Sequence, residues 1–200
     1  MLDKQKISKS IDDENTKILK EVENYIDRKM SESEIIDRVI KDAVNRFTPK
    51  SKMILSDVYD MLKEKTFNEE FFKDVSHQAA FYKMNIMKEL NEKFDFNIPS
   101  SIDYEESKIK MEDWLKLGAI EFVGGGIGIT FKNFFPIVVS TIIAGIMFLM
   151  FKNKNINKDL KIVIDEYLEN IKKSLLSWVN SIEKYYDERI KQLKEDLNKN

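Results

Sequence analysis

Hydrophobic positions recur at helical spacing along both charged ends of this 200-residue chain. Apolar side chains recur near helical spacing in residues 7–30, and Ser31-Glu32-Ser33-Glu34 then has the pattern of a capping box before a second apolar face at residues 35–47. Thr48-Pro49 predicts the start of a third helix, with proline in its first turn, and Asn68 predicts the N-cap of a fourth that runs to Phe94. Because no segment alternates with period two for long enough to form a strand, the sequence predicts an all-α helical bundle with long amphipathic helices.

A long amphipathic helix is predicted over residues 158–197, because neither proline nor glycine follows Gly145. At about 1.5 Å per residue this helix is roughly 60 Å long. The apolar stripe that we expect to form its helix-interaction surface consists of Ile164, Leu168, Ile171, Leu175, Trp178 and Ile182. A helix of this length cannot bury its stripe alone. We expect the stripe to pack against the second to fourth helices of the same chain, with an intermolecular coiled coil as the alternative.

The run from Asn133 to Phe151 has no ionisable side chain, and its nineteen residues span roughly 28 Å as a helix, close to the hydrocarbon thickness of a bilayer. It lies inside an apolar stretch, residues 117–151, that holds all six glycines and only two charges. We therefore divide the chain into a charged region of four or five helices (1–116), a glycine-rich hydrophobic membrane hairpin or span (117–151) and the long C-terminal helix (152–200). A buried core helix and a re-entrant loop are the alternatives for the middle segment.

The distribution of lysines predicts how the apolar stretch is oriented. Lys116 and Lys132 precede the charge-free run, whereas five lysines follow it between residues 152 and 172. By the positive-inside rule, this excess places the C-terminal tail in the cytoplasm. A hairpin, in which residues 117–131 enter the membrane and 133–151 return, also keeps the N-terminal region cytoplasmic, which agrees with an N-terminus that lacks the apolar core of a secretory signal. We therefore expect a membrane protein whose N- and C-terminal regions are both cytoplasmic.

Candidate membrane-contacting residues follow from this interpretation. The residues expected to insert are Gly124, Gly125, Gly126, Gly128, Phe134, Phe135, Pro136, Gly145, Phe148 and Phe151. The expected interface anchors are Trp114, Lys132, Lys152 and Lys154. Gly124 and Gly128 form a GxxxG pair, which lets a second helix approach closely in lipid. Glu121 is expected to lie near the headgroups, or to line a pore if several copies assemble.

The sequence contains no motif for catalysis or for nucleotide binding: no P-loop, no dinucleotide fingerprint, no HExxH and no nucleophile elbow. His77 is the only histidine, and we interpret it as a surface or core-edge residue. A net charge of −2, with no strongly basic region, argues against nucleic acid as a partner. We predict no enzymatic activity, catalytic residue, cofactor or metal site. The expected partners are the lipid bilayer and, through the C-terminal helix, either a second copy or another protein.

The order of parts is helices, then a glycine-bearing apolar hairpin, then a long amphipathic helix that ends in NSIEKYYDERIKQLKEDL. Over residues 105–197 this order resembles the stalk and membrane-inserting tip of bacterial dynamin-like proteins. The GTPase domain of that family and its P-loop are absent from this sequence. The resemblance therefore implies a detached stalk and tip that depends on a partner for nucleotide-driven work.

Two functions are consistent with this layout. In the first, a cytoplasmic bundle is held at the membrane by its hydrophobic hairpin and scaffolds or remodels the membrane with partners. In the second, the protein is an α-helical pore-forming or membrane-permeabilising effector whose hairpins insert and oligomerise, because the layout is also similar to that of α-helical pore-forming proteins.

Overall fold

The computed structural model describes residues 4–94, Phe96 and residues 156–199. All regular secondary structure in these ranges is helical, which confirms the all-α prediction for this part of the chain. The elements are α1 (Lys4–Asp27), α2 (Glu32–Phe67), a short 3₁₀ helix (Glu70–Lys73), α3 (Val75–Met84), α4 (Ile86–Lys93) and α5 (Ile156–Asn198). The prediction of one uninterrupted C-terminal helix is confirmed by α5.

The connection between α1 and α2 ends in the predicted capping box. The Ser31 hydroxyl accepts a hydrogen bond from the Glu34 N–H at 3.4 Å, and the Glu34 carboxylate accepts one from the Ser31 N–H at 3.0 Å. Both bonds satisfy backbone donors that have no partner within the helix. This start signal is read correctly from sequence because every group in it lies within one helical turn.

The predicted helix start at Thr48-Pro49 is wrong, because α2 continues through Pro49. A proline inside a helix removes one backbone hydrogen bond and costs about 3 kcal/mol. Phe47 and Ile54, on either side of the proline, are both buried, and burial of such side chains stabilises by about 1.5–3 kcal/mol each. Breaking the helix would turn one of these residues away from the core, so packing outweighs the cost of the proline.

The single helix predicted after Asn68 is also wrong. Asn68 ends α2 as its C-cap, and the cap of α3 is Asp74, whose carboxylate accepts from the Ser76 N–H at 2.7 Å. Asn85 then separates α3 from α4 with a left-handed backbone (φ 51°), a conformation that asparagine tolerates better than most residues. These turns fold the short helices back onto α2 and α5, and this arrangement buries Phe72 and Phe81 in the core.

Helix α5 lies at the centre of the bundle and packs against α1, α2, α3 and α4. All six residues of its predicted stripe are buried. The stripe therefore packs against helices of the same chain, as we expected. Besides the region in which the second to fourth helices were predicted, α5 also contacts α1. The core of the described part is formed around this one helix.

Candidate functional site

The predicted membrane-contacting residues lie outside the residues that the structure describes, so their roles stay predictions. They are Trp114, Glu121, Gly124, Gly125, Gly126, Gly128, Lys132, Phe134, Phe135, Pro136, Gly145, Phe148, Phe151, Lys152 and Lys154. The stripe of α5 is described, and it belongs to the core. Its residues therefore support the fold, and any further role in binding a partner stays a prediction as well.

Helices α1 and α5 are antiparallel, and their register is fixed along the length of α1. Three ion pairs join them: Lys4–Glu183 at 3.0 Å, Asp12–Lys172 at 2.7 Å and Glu23–Lys161 at 2.8 Å. Between the second and third pairs both helices advance eleven residues in opposite directions, as expected for two helices with the same rise per residue. The Lys4–Glu183 pair lies three residues out of this register. The same register places Ile156, the first residue of α5, level with Asp27, the last residue of α1.

One end of the bundle therefore combines the end of α1, the connection to α2 and the beginning of α5. We call this end, formed by residues 27–31 and 156–162, the entry end, because the chain re-enters the bundle there after the apolar stretch. The side chain of Ile162 is 55% exposed in this region. Ile162 lies in the second turn of α5 and is the one large hydrophobic residue of this helix that is exposed among those whose side chains the structure describes.

Charged groups beside Ile162 are paired with one another. The Lys161 ammonium donates to the Glu23 carboxylate, and this hydrogen bond lowers the pKa of Glu23 and raises the pKa of Lys161. Both groups are solvated, so the pair is screened by salt and fixes geometry more than it stabilises the fold. The Ser31 hydroxyl and N–H lower the pKa of Glu34 in the same region. These carboxylates are ionised at neutral pH and are suited to a solvated surface rather than to acid–base chemistry.

A second polar cluster joins α4 to α5 away from the entry end. The Glu89 carboxylate accepts from the Tyr185 hydroxyl at 2.7 Å and from two guanidinium nitrogens of Arg189, each at 2.9 Å. Burial raises the pKa of Glu89, but the hydrogen bonds from Tyr185 and Arg189 together outweigh burial, so the pKa of this carboxyl is lowered. The two-pronged contact with arginine is the geometry of a strong ion pair. It holds α4 against α5 close to the point where the described chain leaves the bundle.

A cleft of about 350 Å³ lies where α2, α4 and α5 meet. Its lining residues are Ser51, Lys52, Leu55, Asn91, Phe94, Phe96 and Trp178. The Ser51 hydroxyl donates to the Thr48 carbonyl at 2.8 Å, and the Asn91 amide donates to the Met87 carbonyl at 2.9 Å. The lining contains neither a carboxylate nor an imidazole, and its one ionisable side chain is Lys52. The cleft has the size of a small binding cavity, and the Ser51 and Asn91 side chains in its lining are hydrogen-bonded to backbone carbonyls.

His77 lies at the edge of the core, in agreement with its interpretation from sequence. Its Nδ1 is 2.8 Å from the Phe71 carbonyl oxygen, and its ring stacks on the Phe71 ring at 4.2 Å. Because a carbonyl can only accept, Nδ1 carries the proton in this contact. Among residues 4–94 and 156–199, no group of three or more histidine, aspartate or glutamate side chains is arranged to hold a metal ion.

The sequence analysis did not predict the hydrogen bonds that Tyr185 and Arg189 donate to Glu89. Glu89 and Arg189 are 100 positions apart, and each lies among other charged residues. Nothing local distinguishes either residue from a solvated surface charge. Only an alignment of α4 against α5 in space brings them together.

Comparisons with models of known protein families, with curated proteins and with solved structures returned no match to this chain. In the part of the chain that the structure describes, no helix has both the length and the apolar character needed to cross a membrane. Function is therefore inferred from the sequence pattern together with the geometry of the bundle.

Proposed function

We propose that this chain is a non-enzymatic, membrane-anchored helical protein, in which residues 117–151 hold the bundle at a bilayer and the bundle scaffolds or remodels that membrane with partners. The observation that carries the proposal is the charge-free run that ends at Phe151, only five residues before the first residue of α5. The central helix of the bundle is thus joined almost directly to a segment long enough and apolar enough to span hydrocarbon.

The length of chain on the C-terminal side supports this proposal. Five residues, from Phe151 to Ile156, extend over at most about 18 Å. The end of the apolar run therefore stays within that distance of the entry end, whatever path the intervening residues take. An anchor so closely attached restrains the whole bundle, since α5 contacts the other four helices.

The length of chain on the N-terminal side is compatible with a hairpin. Phe96 packs on Trp178, with ring centroids 5.5 Å apart, and Trp178 lies about 33 Å along α5 from Ile156. The 21 residues from Phe96 to Leu117 reach about 32 Å even at helical rise, and about 70 Å when extended. Both ends of residues 117–151 are thus able to meet a membrane at the entry end, with both charged regions on one side. The lysine distribution favours the cytoplasmic side.

A second candidate function is a pore-forming protein whose hairpins insert and oligomerise. Glu121 and the glycines between Gly124 and Gly128 favour it, because a carboxylate within an apolar stretch is costly in lipid and is better accommodated along a water-filled path between packed helices. This candidate predicts a soluble pool of protein and leakage of dye from liposomes, and it predicts that Glu121→Ala or Gly124→Leu weakens the leakage.

Carbonate extraction of membranes that contain the full-length protein tests the anchor. We expect the protein to resist extraction, and we expect tags at both termini to be cleaved by a protease added to the cytoplasmic face. Replacement of Ile142 and Ile143 by lysine costs about 2.5–3.5 kcal/mol per residue at the centre of a span and is expected to release the protein. The matched control, in which both are replaced by leucine, is expected to remain extraction-resistant. Release of the unaltered protein by carbonate would contradict the anchor, and dye leakage would then favour the pore.

A further inference from the structure

The position of Ile162 separates it from the other exposed apolar side chains. Among the described residues, four large hydrophobic side chains are exposed, and they are Ile162, Met53, Val75 and Tyr82. Met53 lies in the middle of α2, about 32 Å along the helix from its first residue. Val75 and Tyr82 belong to α3, which packs near the opposite end of the bundle, as the contact of Phe81 with Tyr186 indicates. Ile162 alone is at the entry end.

Ile162 is also close to the end of the apolar run when the chain is followed. It lies six residues, or about 9 Å, beyond the first residue of α5, and at most about 18 Å separates that residue from Phe151. Ile162 is therefore within about 27 Å of the last residue of the run, and nearer if the intervening chain is not extended. A bilayer has an interfacial layer of roughly 5–8 Å outside its hydrocarbon on each face. The tether is short enough for the first two turns of α5 to reach this layer.

We propose that the entry end rests on the surface of the bilayer, with Ile162 in the interfacial layer, so that the bundle has a fixed orientation on the membrane. This inference rests on the proposed anchor function. The Lys161–Glu23 pair is next to Ile162 and joins α5 to α1, so α1 is brought to the same surface. An apolar side chain with a lysine beside it, at the boundary between headgroups and acyl chains, is the arrangement by which interfacial helices contact lipid.

Single-cysteine labelling tests the inference, because the chain contains no cysteine of its own. Ile162→Cys is labelled with a fluorophore in the full-length protein, which is then reconstituted into vesicles of equal parts phosphatidylcholine and phosphatidylglycerol. The matched control is Met53→Cys, because Met53 is similarly exposed (60%, compared with 55%) and lies away from the entry end. Both positions are at the surface, so neither substitution is expected to disturb folding.

Replacing the phosphatidylcholine with its brominated form, whose acyl chains quench fluorescence, is expected to remove about half of the signal at Ile162 and almost none at Met53. Flotation of the same samples tests the anchor separately from the proposed orientation of the bundle. If the protein does not float with the vesicles, the anchor itself is wrong, and this inference fails with it. If it floats and the label at Ile162 is quenched no more than the label at Met53, the anchor stands and the proposed orientation is wrong.

Discussion

Substitution of Ile171 by alanine measures how much the stripe of α5 contributes to the fold of a single chain. Ile171 is fully buried, at 0% exposure. The change removes three carbon atoms, each worth about 0.8 kcal/mol in transfer from water, or about 2.4 kcal/mol in all. A cavity between α5 and its neighbours adds to this loss because the long helices cannot collapse fully around it. We expect the free energy of unfolding to fall by about 3–4 kcal/mol.

The assay is urea unfolding of the full-length protein in a mild detergent, followed by helical circular dichroism. The matched control is Ile162→Ala, the same substitution on the same helix at an exposed position, which we expect to change the free energy by less than about 0.5 kcal/mol. We expect the difference between the two variants to be independent of protein concentration. The groups that cover Ile171 belong to the same chain, so dilution does not remove them.

Two results would refute this reasoning. If both variants lose the same stability, Ile171 is not a core residue. If the loss caused by Ile171→Ala increases on dilution, the stripe is covered by a second copy of the chain rather than by α1 and α2.

Three further predictions concern single contacts of the bundle. Glu89→Gln is expected to lower the free energy of unfolding by about 1–2 kcal/mol, because Arg189 loses a charged acceptor. Since the pKa of Glu89 is lowered in the folded state, its contribution to stability is present above the ordinary pKa of a glutamate and is lost as the pH falls through the lowered pKa of the folded protein. The variant should lack this part of the acid dependence. Ser31→Ala removes the cap of α2 and should cost about 1 kcal/mol. Pro49→Ala should stabilise by about 1–2 kcal/mol, because it restores a helical hydrogen bond at an exposed position.

Each of these variants is compared with the unaltered protein by the same unfolding assay. Glu92→Gln serves as the control for Glu89→Gln, since Glu92 is on the same helix but is solvated, and its contact with Lys88 is long, at 3.9 Å. If both variants lose the same free energy of unfolding, the contact of Glu89 with Arg189 is no stronger than a solvated ion pair. Unchanged stability in Ser31→Ala would contradict the role of Ser31 as the cap of α2. A lower free energy of unfolding in Pro49→Ala would contradict the view that the missing N–H of the proline destabilises α2.

Local signals in the sequence were sufficient where all interacting groups lie within a few turns. The Ser31–Glu34 box was predicted correctly because the donors and acceptors are three residues apart. The two ends of α5 were predicted within about two residues, because its apolar residues keep helical spacing and no glycine or proline interrupts them. The all-α character of the described part follows from the same periodicity.

Local signals failed where a distant contact decided the conformation. Thr48-Pro49 has the pattern of a helix start, and Asn68 has that of a cap, yet α2 passes through the first and ends at the second. In both cases the burial of side chains in the core of the bundle, Phe47 and Ile54 around the proline and Phe72 after Asn68, outweighs the roughly 1–3 kcal/mol at stake in a cap or a proline. A local pattern does not show which distant parts of the chain cover these side chains.

The sequence by itself determined that the described part of the chain is helical, where α1 and α5 lie, and that residues 133–151 carry no ionisable side chain. Only the tertiary structure decided that α5 is the centre of the bundle, that Glu89 meets Arg189, and that the start of α5 shares one end with the end of α1. The physical reason is the range of the interactions. Helix periodicity and capping depend on neighbours within one or two turns, whereas register and burial depend on residues about 100 or more positions apart, whose proximity exists only once the chain has folded.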